Sequence, residues 1–263
     1  MDIHKPKPWH GVREFLKEYV IIVVGVLTAL AAEQGVEWLH WRHQAQVAQV
    51  RIADEIEQNL RAGYARVMLQ KCYDARLVEL RDRLLASSGA WEGMPVRWTA
   101  PPGSKAENLP GFFRGGLLSS SVPPVYITRN STWPDSAWSS AISSGVTLHL
   151  NSDRAGAFAR LYSDFAQQRD IQNDEGQIQA RLSPLSLTRE VSPADRTRYM
   201  EMIGELNFLN VKAATFGRQA IAAANGSGVR IKASTARKEI AYSRADPRFT
   251  DCMVAEPIPL AGG

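Results

Sequence analysis

Fourteen consecutive positions, Tyr19 to Ala32 (YVIIVVGVLTALAA), carry neither a charge nor a strong helix breaker. As helix they cover about 21 Å, short of a hydrocarbon core of about 30 Å. The flanks lengthen the stretch. Phe15 and Leu16 precede it, and Gly35, Val36, Trp38 and Leu39 continue it. From Phe15 to Leu39 the pattern predicts a transmembrane helix, with Lys17 and Glu18 snorkelling at one end and Glu33 and Glu37 at the other interface. Trp9, Tyr19, Trp38 and Trp41 stand where interfacial aromatics are expected. A signal-peptide core competes with this reading, because Ala29-Leu30-Ala31 is an A-x-A pattern behind an apolar run. Glu14 and Glu18 in the leading segment, and a helical pattern that runs on past Ala32, weigh against cleavage. A buried soluble helix is the third reading.

Beyond the apolar stretch the periodicity becomes amphipathic. Ile56, Leu60, Tyr64 and Val67 form one stripe and, after a small phase slip, Leu69, Tyr73, Leu77, Leu80 and Leu84 form the next. With no proline between them, the helix is expected to continue out of the membrane and to end at Ser87-Ser88-Gly89. Residues 88–134 are rich in Pro and Trp and predict a loop-rich insertion with a short strand at Val125–Thr128.

Helix returns near Pro134-Asp135-Ser136, with Gly145 suited to its C-terminal cap. Asn151-Ser152-Asp153 starts another helix that reaches about Leu182, its apolar face formed by Phe158, Leu161, Tyr162 and Phe165. Ser192-Pro193-Ala194-Asp195 starts the helix with the cleanest pattern. There Tyr199, Met202, Leu206, Leu209, Ala213, Phe216, Ala220 and Ala223 alternate at spacings of three and four, the mark of a bundle or partner seam. Asn225-Gly226-Ser227-Gly228 stops it, a short helix follows around 233–242, and EPIPLAGG reads as a flexible tail. Stripes that no helix buries alone predict a mainly α fold: a transmembrane helix continuing into an antiparallel bundle. The division is a cytoplasmic tail (1–14), a span (15–39), a periplasmic bundle (40–250, with the 88–134 insertion) and a flexible C-terminal tail (251–263).

Charge sets the orientation. Lys5, Lys7, Arg13 and Lys17 precede the span, whereas only Arg42 and Arg51 follow it closely, which places the N-terminus in the cytoplasm. The net charge of +4 comes from 31 basic and 27 acidic residues interspersed along the chain, so nucleic acid is not an expected partner. A mean hydropathy of −0.24 excludes a multispan protein. Cys72 and Cys252 are the two cysteines, an even pair that invites a disulfide outside the cytoplasm. It would close a loop of about 180 residues, worth at most about 5 kcal/mol in the chain-entropy model.

Candidate chemistry is sparse. Glu37-x-x-His40-x-x-His43 puts three ligand types on one helical face, but no partner motif follows, and an interfacial polar face is the simpler account. Ser119-Ser120-Ser121 lacks a nucleophile-elbow frame and has His149 alone as a downstream base. An anchored hydrolase built on those residues is the alternative function. Gly115-Gly116 and Gly226-Ser227-Gly228 lack the lysine of a phosphate loop. Asp164, Asp170, Asp174 and Glu175 read as a solvated face. No enzyme, cofactor or metal is expected. Association is: Gly25, Thr28, Ala29 and Ala32 give the span a small-residue face, with Gly25-x-x-x-Ala29 a small-xxx-small pair.

The N-terminal FLKEYVIIVVGVLTALAAEQ, the Trp-x-x-Ala-x-x-Ser-Gly element (Trp138, Ala141, Ser144, Gly145) and the pair Leu161-Tyr162 resemble a group of uncharacterised bacterial single-span membrane proteins. The resemblance implies an inner-membrane anchor with a helical periplasmic domain, and no established activity. Together these readings predict an anchored binding or accessory subunit that engages a protein partner or a second copy of itself.

Overall fold

The computed structural model describes residues 11–93, 131–246 and 249–261. The protein is mainly helical. Helix α1 (Val12–Ala86) is a single run of 75 residues, about 110 Å long at 1.5 Å per residue. It contains no proline and stops where Ser87 turns extended, its hydroxyl donating to the Leu84 carbonyl at 2.9 Å. Gly89, at φ 119°, then makes a turn that favours glycine. It leads into β1 (Ala90–Trp91), paired antiparallel with the later β2 (Arg189–Glu190).

Three further helices build the body. α2 (Ser136–Ser143) ends at Gly145, φ 74°. α3 (Ser152–Leu182) is capped by the Asn151 side chain, which accepts from the backbone N–H groups of Asp153 and Arg154 at 3.1 Å each. α4 (Pro193–Ser227) is capped by Ser192, which accepts from the Asp195 N–H at 3.1 Å, and it ends at Gly228, φ 76°. A short β3 (Ile231–Lys232), α5 (Ala233–Ala245) and β4 (Leu260–Ala261) complete the described chain.

α4 runs antiparallel to α1. Leu77, Leu80 and Leu84 pack with Tyr199, Met202 and Ile203 at one end, while Gly63 faces Gly217 further along. α3 runs parallel to α1, its Tyr162 meeting Glu55 and its Glu175 meeting Arg66. Two apolar clusters result. One joins Ile52, Ile56, Leu60 and Met68 to Phe158, Leu161, Phe165 and Ala220; the other joins the leucines of late α1 to Ile171, Ile178, Leu182 and the first half of α4.

The α4 seam is buried at Tyr199, Met202, Leu206, Leu209, Ala213 and Ala220, but Phe216 is only half-buried and Ala223 is exposed. The buried positions move instead to Gly217, Ile221 and Ala224. A strict seven-residue repeat drifts by about 20° per heptad on a straight 3.6-residue helix, so after three heptads the inward direction has moved by about 60°, more than half of the roughly 100° between successive residues.

The crossing of α1 and α4 depends on its glycines. A Cβ on Gly217 would lie 2.8 Å from the Gly63 carbonyl oxygen, whereas one on Gly63 would meet Gly217 Cα at an ordinary 3.5 Å. Gly217→Ala is therefore expected to destabilise the fold by about 1–3 kcal/mol through overpacking. Gly63→Ala is expected to be neutral or to stabilise by up to about 1 kcal/mol through helix propensity. Chemical denaturation of the two variants checks the asymmetry.

The C-terminal segment differs from the loose tail expected for 251–263. Among its described residues, the Val254 N–H donates to the Met68 carbonyl at 3.0 Å and the Tyr64 hydroxyl donates to the Glu256 carbonyl at 3.0 Å. β4 pairs in parallel with β3. The Pro- and Gly-containing run that reads as a tail is held by partners contributed from distant elements.

Candidate functional site

Helix α1 divides into two environments. From Val12 to Leu39 every described large apolar side chain is exposed or nearly so, including Ile21 (71%), Ile22 (64%) and Leu27 (60%). Within this part lies an 18-residue window of mean hydropathy 2.0 with no residue buried, long and apolar enough to cross a membrane. Gly25, Thr28, Ala29 and Ala32 sit there on the exposed helix, and among the described residues nothing lies within 4 Å of a Cβ built on Gly25. Ala45 is the first buried residue, and from Ile52 onward α1 supplies the core.

The junction between these environments is rich in rings. The Arg42 guanidinium lies 5.2 Å from the Trp38 ring centre. Trp41 stacks on His149, with centroids 4.3 Å apart and planes 11° apart, and its Nε1 donates to Glu37 at 3.4 Å. His40 meets the same ring edge-on at 5.8 Å. Glu37 and His40 thus meet at Trp41, and among the described residues no three His, Cys, Asp or Glu side chains are placed to hold a metal ion. Ser119, Ser120 and Ser121, and the strand expected at Val125–Thr128, lie outside the described residues.

Beside this junction, α1 and α2 enclose a groove of about 450 Å³ lined by Gln44, Ala48, Arg51, Ser140, Ala141 and Val146, among others. Glu55 holds α2 in place. Its carboxylate accepts from the Ser136 hydroxyl at 2.9 Å, from the Ala137 N–H at 3.0 Å and from the buried Tyr162 hydroxyl at 2.6 Å. An acid at a helix N-terminus meets both unpaired N–H groups and the positive end of the helix dipole. Burial, reinforced by Glu55, pushes the Tyr162 phenol far above its ordinary value, so it remains a donor. Trp138 stacks on Tyr162 at 5.4 Å and 8°. The Trp138-to-Gly145 element and the Leu161-Tyr162 pair, well separated in sequence, therefore pack against each other.

A second polar cluster lies where the two apolar clusters meet. Arg66 and Glu175 form a buried ion pair, and the Arg66 guanidinium also sits 4.9 Å from the Tyr73 ring centre. Gln168 donates to the Ala213 carbonyl at 2.7 Å, and Asn210 donates to Asp74 at 2.7 Å. Burial raises the Glu175 carboxyl above its ordinary value, and Arg66 opposes that shift. Glu175 is thus not part of a solvated acidic face. Asp170 and Asp174 are exposed, but Glu175 falls between Ile171 and Ile178 on the inward stripe. That phase is the sequence signal for Glu175, as the step of three from Ile52 is for Glu55.

Cys72 and Cys252 are joined, with Cα atoms 5.0 Å apart and 180 positions between them in sequence. No family model, curated protein or solved structure matches this chain. Its function is therefore read from its own geometry: an exposed apolar helix, a ring-lined junction, a groove beside it and a stapled helical body.

Proposed function

We propose that this is a single-span protein of a bacterial inner membrane, with residues 1–14 in the cytoplasm, 15–39 in the bilayer and the remainder in the periplasm as an antiparallel helical bundle. It acts there as a binding or accessory subunit for a protein partner or a second copy of the chain. One observation carries the reading. α1 is unbroken from an apolar stretch with none of the other described residues packed over it to a stretch that forms the core. A soluble core helix would bury its most apolar window, and this helix leaves that window uncovered. The arrangement of basic residues supports the orientation. The resemblance carried by FLKEYVIIVVGVLTALAAEQ points the same way.

Fractionation of C-terminally tagged protein, with protease added outside intact spheroplasts, tests the placement. The expected result is a full-length membrane-bound band whose tag is lost to protease. A shortened, soluble band with a mature N-terminus at Ala32 would overturn the anchor, and a protected tag would overturn the orientation.

A further inference from the structure

We propose that the Cys72–Cys252 bond is a redox latch that controls the attachment of residues 253–261 to the helical body. This goes beyond the membrane placement, and its test reads local exchange rather than topology, so the two readings fail separately. The bond lies at the point where the chain leaves a buried knot and becomes a strap. On the body side, Phe249 is buried against Tyr73, ring centres 6.0 Å apart, and clusters with Leu69 and Cys72. Beyond Cys252 the burial is only partial. Among the described residues, Met253 and Ile258 pack half-buried against the core, the Val254 N–H donates to the Met68 carbonyl, the Tyr64 hydroxyl donates to the Glu256 carbonyl, Arg218 pairs with Glu256, and β4 forms a two-residue ladder on β3. The Arg218 and Glu256 side chains are 42% and 36% exposed, in the range where ion pairs contribute little. A two-residue ladder is likewise marginal without covalent help.

The two sulfurs are unequally placed. Cys72 is 1% exposed on α1, while Cys252 is half-buried at the surface, so an external thiolate reaches the Cys252 sulfur. The reductant is a dithiol of the oxidoreductase class. Its thiolate forms a mixed disulfide with Cys252, the Cys72–Cys252 bond breaks, and the electron pair stays on the Cys72 sulfur, which takes up a proton. The second thiol of the reductant then attacks the mixed disulfide and leaves as part of the oxidised reductant. Cys252 departs as a thiolate and is protonated. One protein disulfide and one dithiol become two protein thiols and one reductant disulfide. The strap then detaches beyond Cys252, uncovering the Met68 carbonyl and the β3 edge, while the Phe249 knot and the long helices remain.

Hydrogen exchange read by mass spectrometry on the full chain in detergent decides this, with dithiothreitol as the dithiol and alkylation to count free thiols. Reduction under native conditions is expected to speed exchange in 253–261 at least tenfold and to leave 199–224 unchanged. Cys252→Ser should show the fast pattern without reductant and not respond to it. Unchanged exchange in 253–261 with both thiols alkylated would overturn the latch. So would a bond that resists dithiothreitol until the helices unfold, or exchange that rises across the whole body.

Discussion

Arg66→Met is expected to lower the unfolding free energy by about 3–5 kcal/mol, because it leaves the Glu175 carboxylate buried without its partner. Glu175 is only 2% exposed, and Arg66 also covers the face of Tyr73. The cost belongs to the abandoned charge rather than to the pair itself. Accordingly, Arg66→Met combined with Glu175→Leu is expected to recover most of the loss, since apolar side chains of similar volume replace buried ion pairs at little cost. Urea or guanidinium denaturation of wild type, both single variants and the double variant closes the cycle; a double variant as unstable as Arg66→Met would contradict this account. The same pair predicts a pH dependence. Burial raises the folded-state pKa of Glu175 above its ordinary 4.5, so the folded state binds the proton more tightly than the unfolded chain does. Its contribution to stability is therefore fully present below about 4.5 and is lost as pH rises from there through the raised value. Removing Arg66 takes away the opposing effect, so the deficit of Arg66→Met should shrink as the solution is acidified toward that range. Glu175→Gln should abolish the dependence.

The second large effect is expected at Glu55. Glu55→Ala removes the acceptor for the Ser136 hydroxyl, the Ala137 N–H and the Tyr162 hydroxyl at once. Tyr162 is 5% exposed, so its hydroxyl would be left inside without a partner. Charge-assisted hydrogen bonds and an orphaned buried donor together set the expected loss at about 3 kcal/mol. Glu55→Gln keeps an acceptor and most of the shape, and should cost about 1 kcal/mol. Near-ultraviolet circular dichroism adds a local readout, because loosening α2 disturbs the stack of Trp138 on Tyr162. A Glu55→Ala variant with unchanged stability and an unchanged aromatic signal would show that α2 is held by its apolar contacts alone.

Local rules explain which parts of the fold were legible. The ends of α2, α3 and α4 follow from chemistry carried by a few adjacent residues: Asn151 and Ser192 as caps, Pro193 in a first turn, and Gly145 and Gly228 with positive φ. The inward stripes of α1 and α3 were readable because a helix repeats its own faces. Where a pattern had to persist, small errors accumulated, and Ala223 gave way to Ala224 as the drift of a straight helix predicts. Glu175 misled for another reason, and Glu55 drew no reading from the sequence. Both are in phase with buried leucines and isoleucines, yet an acid is normally assigned to the surface unless its partner is known. Their partners, Tyr162 and Arg66, lie 107 and 109 positions away.

The sequence by itself determined the apolar stretch from Tyr19 to Ala32, the mainly helical class, the long helix without a proline and the two cysteines as a candidate pair. Each depends on composition or on spacing within a few turns. Only the tertiary structure decided that Cys72 meets Cys252, that the tail is held against Tyr64, Met68 and β3, and that Arg66 and Glu175 neutralise each other inside. Apart from the β3–β4 pairing, which joins Ile231 to Leu260, those outcomes join residues more than 100 positions apart. Their energies depend on which helix faces are brought within a few ångströms, and that proximity is created by packing rather than by any local pattern.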